Sequence, residues 1–254
     1  MDEIIRIKPI FDTHLYNSAC DEKALRKVIT EQEENTWYIL GGDITDSVIV
    51  SDLKRYRKSI DGTKGDAIID EQVKKAIEIF TPVKERILGI ARGNHEDSIL
   101  KHCGTDITQR MCDALGTLNL GYSGLFRLQL SQNGNRGRTI VIRYHHGWGG
   151  GSRTQGADLS KYSRDVAYWD ADLFLYGHVH RLQTDTIPRL GLSGDKLISK
   201  PKLMCLCGTF LKTYTAGTEP TYSEVKGYPP VSVGTCTVEA RVTNEWLKLR
   251  AFID

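Results

Sequence analysis

No run of apolar residues in this chain approaches the roughly 20 needed to span a bilayer. The N-terminus carries Asp2, Glu3, Arg6 and Lys8, which leaves no apolar stretch for a signal peptide. Both absences predict a soluble, intracellular, cytoplasmic protein with no membrane partner. The six cysteines, at 20, 103, 112, 205, 207 and 236, form no CxxC pair and no framework of the secreted kind. They read as free thiols, with Cys205 and Cys207 on one face of a strand. Neither sign of charge dominates: the formal net charge is +2, so any nucleic-acid argument must come from local basic clusters. No internal repeat and no long Pro/Gly/Ser linker divides the 254 residues. One domain over 1–254 is expected, large enough to bury a sizeable core.

What the chain does have is a set of short polar motifs. Asp12-Thr13-His14, Gly42-Asp43-Ile44-Thr45-Asp46, Gly93-Asn94-His95-Glu96, His145-His146-Gly147 and Gly177-His178-Val179-His180 follow one another in order. Each sits where an apolar, strand-like run stops. Such runs occur at 4–11, 37–40, 87–91, 139–144 and 172–176. Helices are predicted over 22–34 (capped by Asp21), 51–59, 70–80 and 159–169. A hairpin is predicted from 125–130 to 139–144 around Gln132-Asn133-Gly134-Asn135, with late strands at 202–206, 231–242 and 246–252. Strand, motif and helix in alternation predict a layered α/β fold.

A metal pair that activates water for attack on phosphorus needs hard or borderline ligands, a bridging carboxylate and open coordination positions. The ends of parallel strands supply such a crevice. One Asp-x-His is weak evidence. A lone Asp43 after two glycines is more often a turn residue, Asn94 a left-handed turn residue, and His178 a satisfied core histidine. The five together carry the inference.

With these motifs in place, the chain resembles the calcineurin-like metallophosphoesterases over 12–180, about two thirds of its length. The resemblance implies a two-sheet β-sandwich flanked by helices, an α/β fold in four layers. It implies that Asp12 and His14 bind one metal, that Asp43 bridges two, and that Asn94, His146 and His178 complete the second while His180 returns to the first. His95 would serve as general acid, and Asp46 would accept a hydrogen bond from His95 and orient it. Of the adjacent pair, His146 directly precedes glycine as the family ligand does, which leaves His145 as a group that either supports the ligands from behind or faces the substrate; on a strand, neighbours point to opposite faces. The implied cofactors are two divalent ions, Mn²⁺ foremost, with Fe, Zn, Ni or Mg as alternatives. Leu15-Tyr16-Asn17 replaces the stretch where the family has a glycine two positions after the histidine, so Tyr16 either packs or overhangs the site.

The metals do not choose the substrate. The Gly147–Ser152 loop follows a candidate ligand, with Trp148 placed to stack on a base and Arg153 to clamp a phosphate. Lys54, Arg55, Arg57, Lys58 and Lys64 could track a phosphate backbone or form a solvated face. The tail at 181–254 reads as late strands plus a lid, a homo-oligomer contact or a surface loop. The compact form with its Trp/Gly-rich loop is similar to phosphoesterases encoded by phages and prophages. The expectation is a two-metal phosphodiesterase or nuclease whose substrate is a phosphodiester of DNA, RNA or a nucleotide. The alternatives are a phosphatase or phosphodiesterase for a small metabolite and a non-catalytic scaffold. The scaffold would be marked by loss of Asp43 or His95, and both are present.

Overall fold

The computed structural model describes residues 4–31, 33–49, 56, 68–132, 135–217, 219–242 and 247–253. The apolar run at the N-terminus forms β1 (Ile4–Ile10). Asp21 then caps α1 (Glu22–Thr30), its carboxylate accepting from the Ala24 amide at 3.1 Å. Next come β2 (Thr36–Leu40), α2 (Ile68–Phe80) and β3 (Ile87–Ala91). Two helices absent from the sequence reading follow, α3 (Asn94–Cys103) and α4 (Ile107–Leu115), each closed by a left-handed glycine, Gly104 and Gly116. Then β4 (Asn119–Gly121), β5 (Ser123–Gln132) and β6 (Asn135–His145) lead to α5 (Ala157–Ser163). The chain finishes with β7 (Leu173–Tyr176), β8 (Leu182–Ile187), β9 (Leu190–Ser193), β10 (Lys196–Ser199), β11 (Lys202–Cys207), β12 (Cys236–Val242) and β13 (Leu247–Ile253).

Six strands form one sheet in the order β13-β12-β1-β2-β3-β4, and five form another in the order β5-β6-β7-β11-β8. In the first, β1 through β4 run parallel; in the second, β6, β7 and β11 do. The inner faces meet in one apolar core. Ile7, Ile39 and Val238 from the first sheet lie against Ile142, Leu175 and Cys205 from the second. The outer face of the first sheet carries Ile10, Tyr38 and Ile90 against Leu25, Ala76, Ile99 and Met111 of the helices. The outer face of the second carries Phe174, Tyr176 and Met204 against Tyr162 and Val166. Helices, sheet, sheet and helix make a four-layer α/β sandwich, the architecture expected.

Some boundaries differ from the sequence reading. The first helix stops at Thr30, and α5 passes into a short 3-10 turn over Arg164–Ala167. Only Cys236–Val242 of the run 231–242 is strand; Val231 lies instead in the wall of a cleft described below, and Gly234 makes an isolated bridge to Thr209. The predicted helix at 51–59 lies outside the described residues. Cys205, Cys207 and Cys236 are fully buried in the inter-sheet core, while Cys103 is exposed. Among the described residues no helix is long and apolar enough to cross a membrane.

A candidate metal centre at the strand ends

β1, β2, β3, β6 and β7 are all parallel-paired strands, and each delivers its motif from its carboxyl end. The first two motifs run side by side beyond the sheet: His14 N donates to Asp43 O and Leu15 N to Ile44 O, both at 2.9 Å. The turns are tight. Asp12, His14, Asp43, His178 and His180 all have positive φ, between 46° and 69°. Left-handed backbone costs an L-residue roughly 1–2 kcal/mol, so strain is concentrated on the residues that carry the polar groups. A Cβ on Gly93 would overlap the Asp43 carboxylate and amide, so only glycine permits this approach of the third motif to the second.

Two carboxylates are held alike. Asp43 Oδ1 accepts the His95 amide at 2.9 Å, at the N-terminus of α3. Asp12 Oδ2 accepts the His178 amide at 2.8 Å. The other oxygen of each faces imidazoles. Asp43 Oδ2 lies 3.3 Å from His146 Nε2, 3.8 Å from His95 Nε2 and 4.0 Å from His14 Nε2. Asp12 Oδ1 is buried without a hydrogen-bond partner, 3.5 Å from His180 Nε2 and 3.9 Å from His14 Nε2.

Two groups of donors result. Asp12, His14 and His180 form one, with the Nε2 atoms of His14 and His180 only 3.2 Å apart. Asp43, His146 and His178 form the other, with Asn94 Oδ1 3.0 Å from His146 Nε2 and 2.8 Å from His178 Nδ1. His146 Nδ1 donates to the Gly41 carbonyl at 3.1 Å, which turns the lone pair of Nε2 into the cluster. An orphaned buried carboxylate oxygen and ring nitrogens converging on it fit a divalent cation. Burial raises both aspartates, but the surrounding histidines outweigh it. Asp12 is thus held below the usual carboxylate range, chiefly by His180, and Asp43 well below it, chiefly by His146 and His95. Burial opposes charge on His146, yet Asp43 pushes it up to about 10. A proton on that ring balances negative charge that a cation would otherwise balance. Burial lowers His14 and His178.

The structure places Asp12, His14, Asp43, Asn94, His95, His146, His178 and His180 in one cluster. His145 is outside it, accepting the Gly147 amide at 2.8 Å through Nδ1 and meeting Trp148 edge-on at 4.9 Å. Burial, followed by the Arg143 charge, lowers His145 to about 4.

Asp46 requires a correction. Its carboxylate Oδ1 lies 3.3 Å from His14 Nδ1 and accepts from Asn17 Nδ2 at 3.1 Å, but is 4.0 Å from His95 Nδ1. His95 Nδ1 instead donates to the main-chain carbonyl of Asp46. The reason is the parallel bridge between Leu15 and Thr45, extended by Asp46 N donating to Leu15 O, which sets the Asp46 side chain beside His14.

The substrate contacts expected from sequence lie outside the lining of the cleft beside the cluster. None of His145, Trp148 and Arg153 lines it. Trp148 is packed edge-on to Tyr162 at 4.5 Å and Tyr176 at 5.7 Å, and Arg153 donates to the carbonyls of Lys226 at 2.8 Å and Gly227 at 3.3 Å. Tyr16 reaches away to hydrogen-bond Glu71 on α2. The basic cluster at Lys54, Arg55, Arg57, Lys58 and Lys64 lies outside the described residues.

Glu96 is the residue the sequence reading passed over. Buried at the third position of α3, it accepts from the amides of Gly93 and Asp43 at 2.9 Å and of Thr45 at 3.1 Å. Burial, then the Asp43 charge, raises its carboxyl. The signal was its place three residues after the Gly93 cap, the spacing of a capping box.

Neither protein-family models nor curated proteins match this chain. Solved structures do. Vps29 of Entamoeba histolytica is 13% identical, with a TM-score of 0.41 over 98% of each chain. A Streptococcus pneumoniae protein described as a predicted phosphoesterase is 13% identical, with a TM-score of 0.35 over 99% of this chain and 100% of that one. A metallophosphoesterase from Sphaerobacter thermophilus is 11% identical, with a TM-score of 0.37 over 98% of this chain and 89% of that one. These are likenesses of the whole chain to metallophosphoesterases and to Vps29; the chemistry rests on the residues.

Proposed function

We propose that the chain is a metal-dependent phosphoesterase, holding two divalent ions with manganese foremost and hydrolysing phosphodiesters of nucleotides or nucleic acids. One observation carries the reading: the two donor groups meet at Asp43 Oδ2, within 4.0 Å of His14 Nε2 on one side and 3.3 Å of His146 Nε2 on the other. A carboxylate oxygen between two such groups is what a cation pair requires. Asp12, His14 and His180 would hold one ion, Asn94, His146 and His178 the other, and Asp43 both. Such a pair supplies Lewis acidity toward phosphoryl oxygens and a water made acidic enough to attack near neutral pH.

The remaining work falls to the chain itself. His95 donates through Nδ1 to the Asp46 carbonyl, which aims Nε2 at the cluster and cleft; only as a doubly protonated ring would it present an Nε2 proton there. In that form it hands that proton to the departing oxygen as a general acid. The Asp46 carboxylate, bonded by Asn17, lies beside His14 Nδ1, and Glu96 holds the loop that carries Asp43.

A substrate panel run with added Mn²⁺ tests the reading. It includes a nitrophenyl monoester, a bis-nitrophenyl diester, cyclic nucleotides, and single- and double-stranded DNA and RNA. Manganese-dependent cleavage of diesters is expected; cleavage of the monoester alone contradicts it.

A further inference from the structure

Beside the histidine cluster, residues from 211–217 and 219–231 contribute a second wall to a cleft of about 820 Å³. That volume lies in the roughly 300–1,000 Å³ range of small-molecule sites. The wall hangs from the first motif, since Thr209 Oγ1 and Phe210 N both donate to Asp12 O, at 2.8 and 3.1 Å. It is also tied internally. Thr221 Oγ1 donates to Thr213 O, Val231 N to Thr213 Oγ1 at 3.2 Å, and Tyr214 OH to Tyr228 O at 3.2 Å. Arg153 clasps it from the glycine-rich loop through the carbonyls of Lys226 and Gly227.

The geometry points to this wall as a subsite for a single planar, uncharged ring system esterified to the phosphoryl group, a nucleoside or aryl ester, in preference to a nucleic-acid strand. The inference deepens the phosphoesterase reading and rests on it. Tyr222, half exposed at 50%, and Tyr228 line the cleft together with Pro220 and Pro229. Aromatic rings and prolines offer flat apolar surface to a ring without demanding charge. A strand needs more, because each further phosphate must be met by a cation. Outside the cluster the charged side chains among the described lining residues are Asp46, Glu219 and Arg181. Arg181 is engaged, donating to Ser152 O at 2.8 Å with Nε 3.7 Å from Asp158. Glu219 repels a second phosphate.

The test is equilibrium binding by titration calorimetry to the manganese-loaded protein, with inorganic phosphate, adenosine 5′-monophosphate and a single-stranded oligonucleotide as probes. Wild type, Tyr222→Ala and Tyr222→Phe are compared. Adenosine monophosphate should bind about tenfold or more tighter than phosphate, as stacking on one ring allows. Tyr222→Ala should remove most of that margin, Tyr222→Phe should keep it, and neither should alter phosphate binding. The oligonucleotide should bind no tighter than the mononucleotide, with a shallow dependence on salt. Equal mononucleotide affinity in wild type and Tyr222→Ala overturns the subsite, as does tight strand binding that falls steeply with salt. Phosphate failing to bind any variant sinks the phosphoesterase reading itself, and the subsite with it.

Discussion

The Glu96 carboxylate accepts the main-chain amide of Asp43 at 2.9 Å, so a residue of the third motif fixes the pivotal carboxylate of the second. Removing it by Glu96→Ala leaves the buried amides of Gly93, Asp43 and Thr45 without an acceptor. Loss of about 1–3 kcal/mol of stability is expected, together with weaker manganese binding, because the Asp43 loop is released. Chemical denaturation and a metal titration check both. Wild-type stability in this variant would remove Glu96 from the account.

Asp46→Asn separates two roles for that side chain. Its carboxylate faces His14, whereas His95 is held by the main-chain carbonyl that the substitution keeps. The variant should therefore lose affinity for one manganese ion, and its losses on good and poor leaving groups should be equal. His95→Ala should do the reverse, retaining metal and losing most on poor leaving groups. If Asp46→Asn shows the His95 pattern instead, the carboxylate orients the acid after all.

For the adjacent histidines, His146→Ala should cost one metal equivalent, while His145→Ala keeps the full complement. His146 Nε2 lies within 3.3 Å of Asp43 Oδ2, and His145 Nδ1 is occupied by the Gly147 amide. Elemental analysis of the two purified variants decides. The opposite pattern of metal content would reverse the assignment.

Metal uptake should release protons. Burial opposes charge on His146, but Asp43 raises its value from 6.5 to about 10, so the metal-free protein carries this proton at neutral pH. A raised value contributes stability that is complete below pH 6.5 and lost as pH climbs through about 10. Because the cation must displace the proton, apparent manganese affinity should rise by up to about tenfold per pH unit near neutrality. Calorimetry in buffers of different ionisation enthalpy reads the proton count. Affinity independent of pH between 6 and 8 contradicts this picture.

The candidate cluster was legible because each of its members follows a strand whose apolar run names its own end, as Leu40 does before Asp43 and Tyr176 before His178. The alternation of those runs with helices also gave the layered fold. Contacts set by tertiary neighbours were not legible. Asp46 turns to His14 because the Leu15 and Thr45 segments pair beyond the sheet, a register no local pattern encodes. Trp148 and Arg153 carry residue types suited to a substrate, but the rings of Tyr162 and Tyr176 and the carbonyls of the tail engage them first. Helix α3 was hidden because it begins inside a motif, with His95 and Glu96 serving the cluster and the helix N-terminus together.

The central claim is a shared carboxylate between two cation positions, and metal stoichiometry tests it most directly. Protein loaded with manganese, freed of excess and measured by elemental analysis should hold two ions per chain in the wild type. Asp12→Ala should keep one, and Asp43→Ala should keep neither tightly. One ion or none in the wild type, or two in Asp43→Ala, would contradict the account.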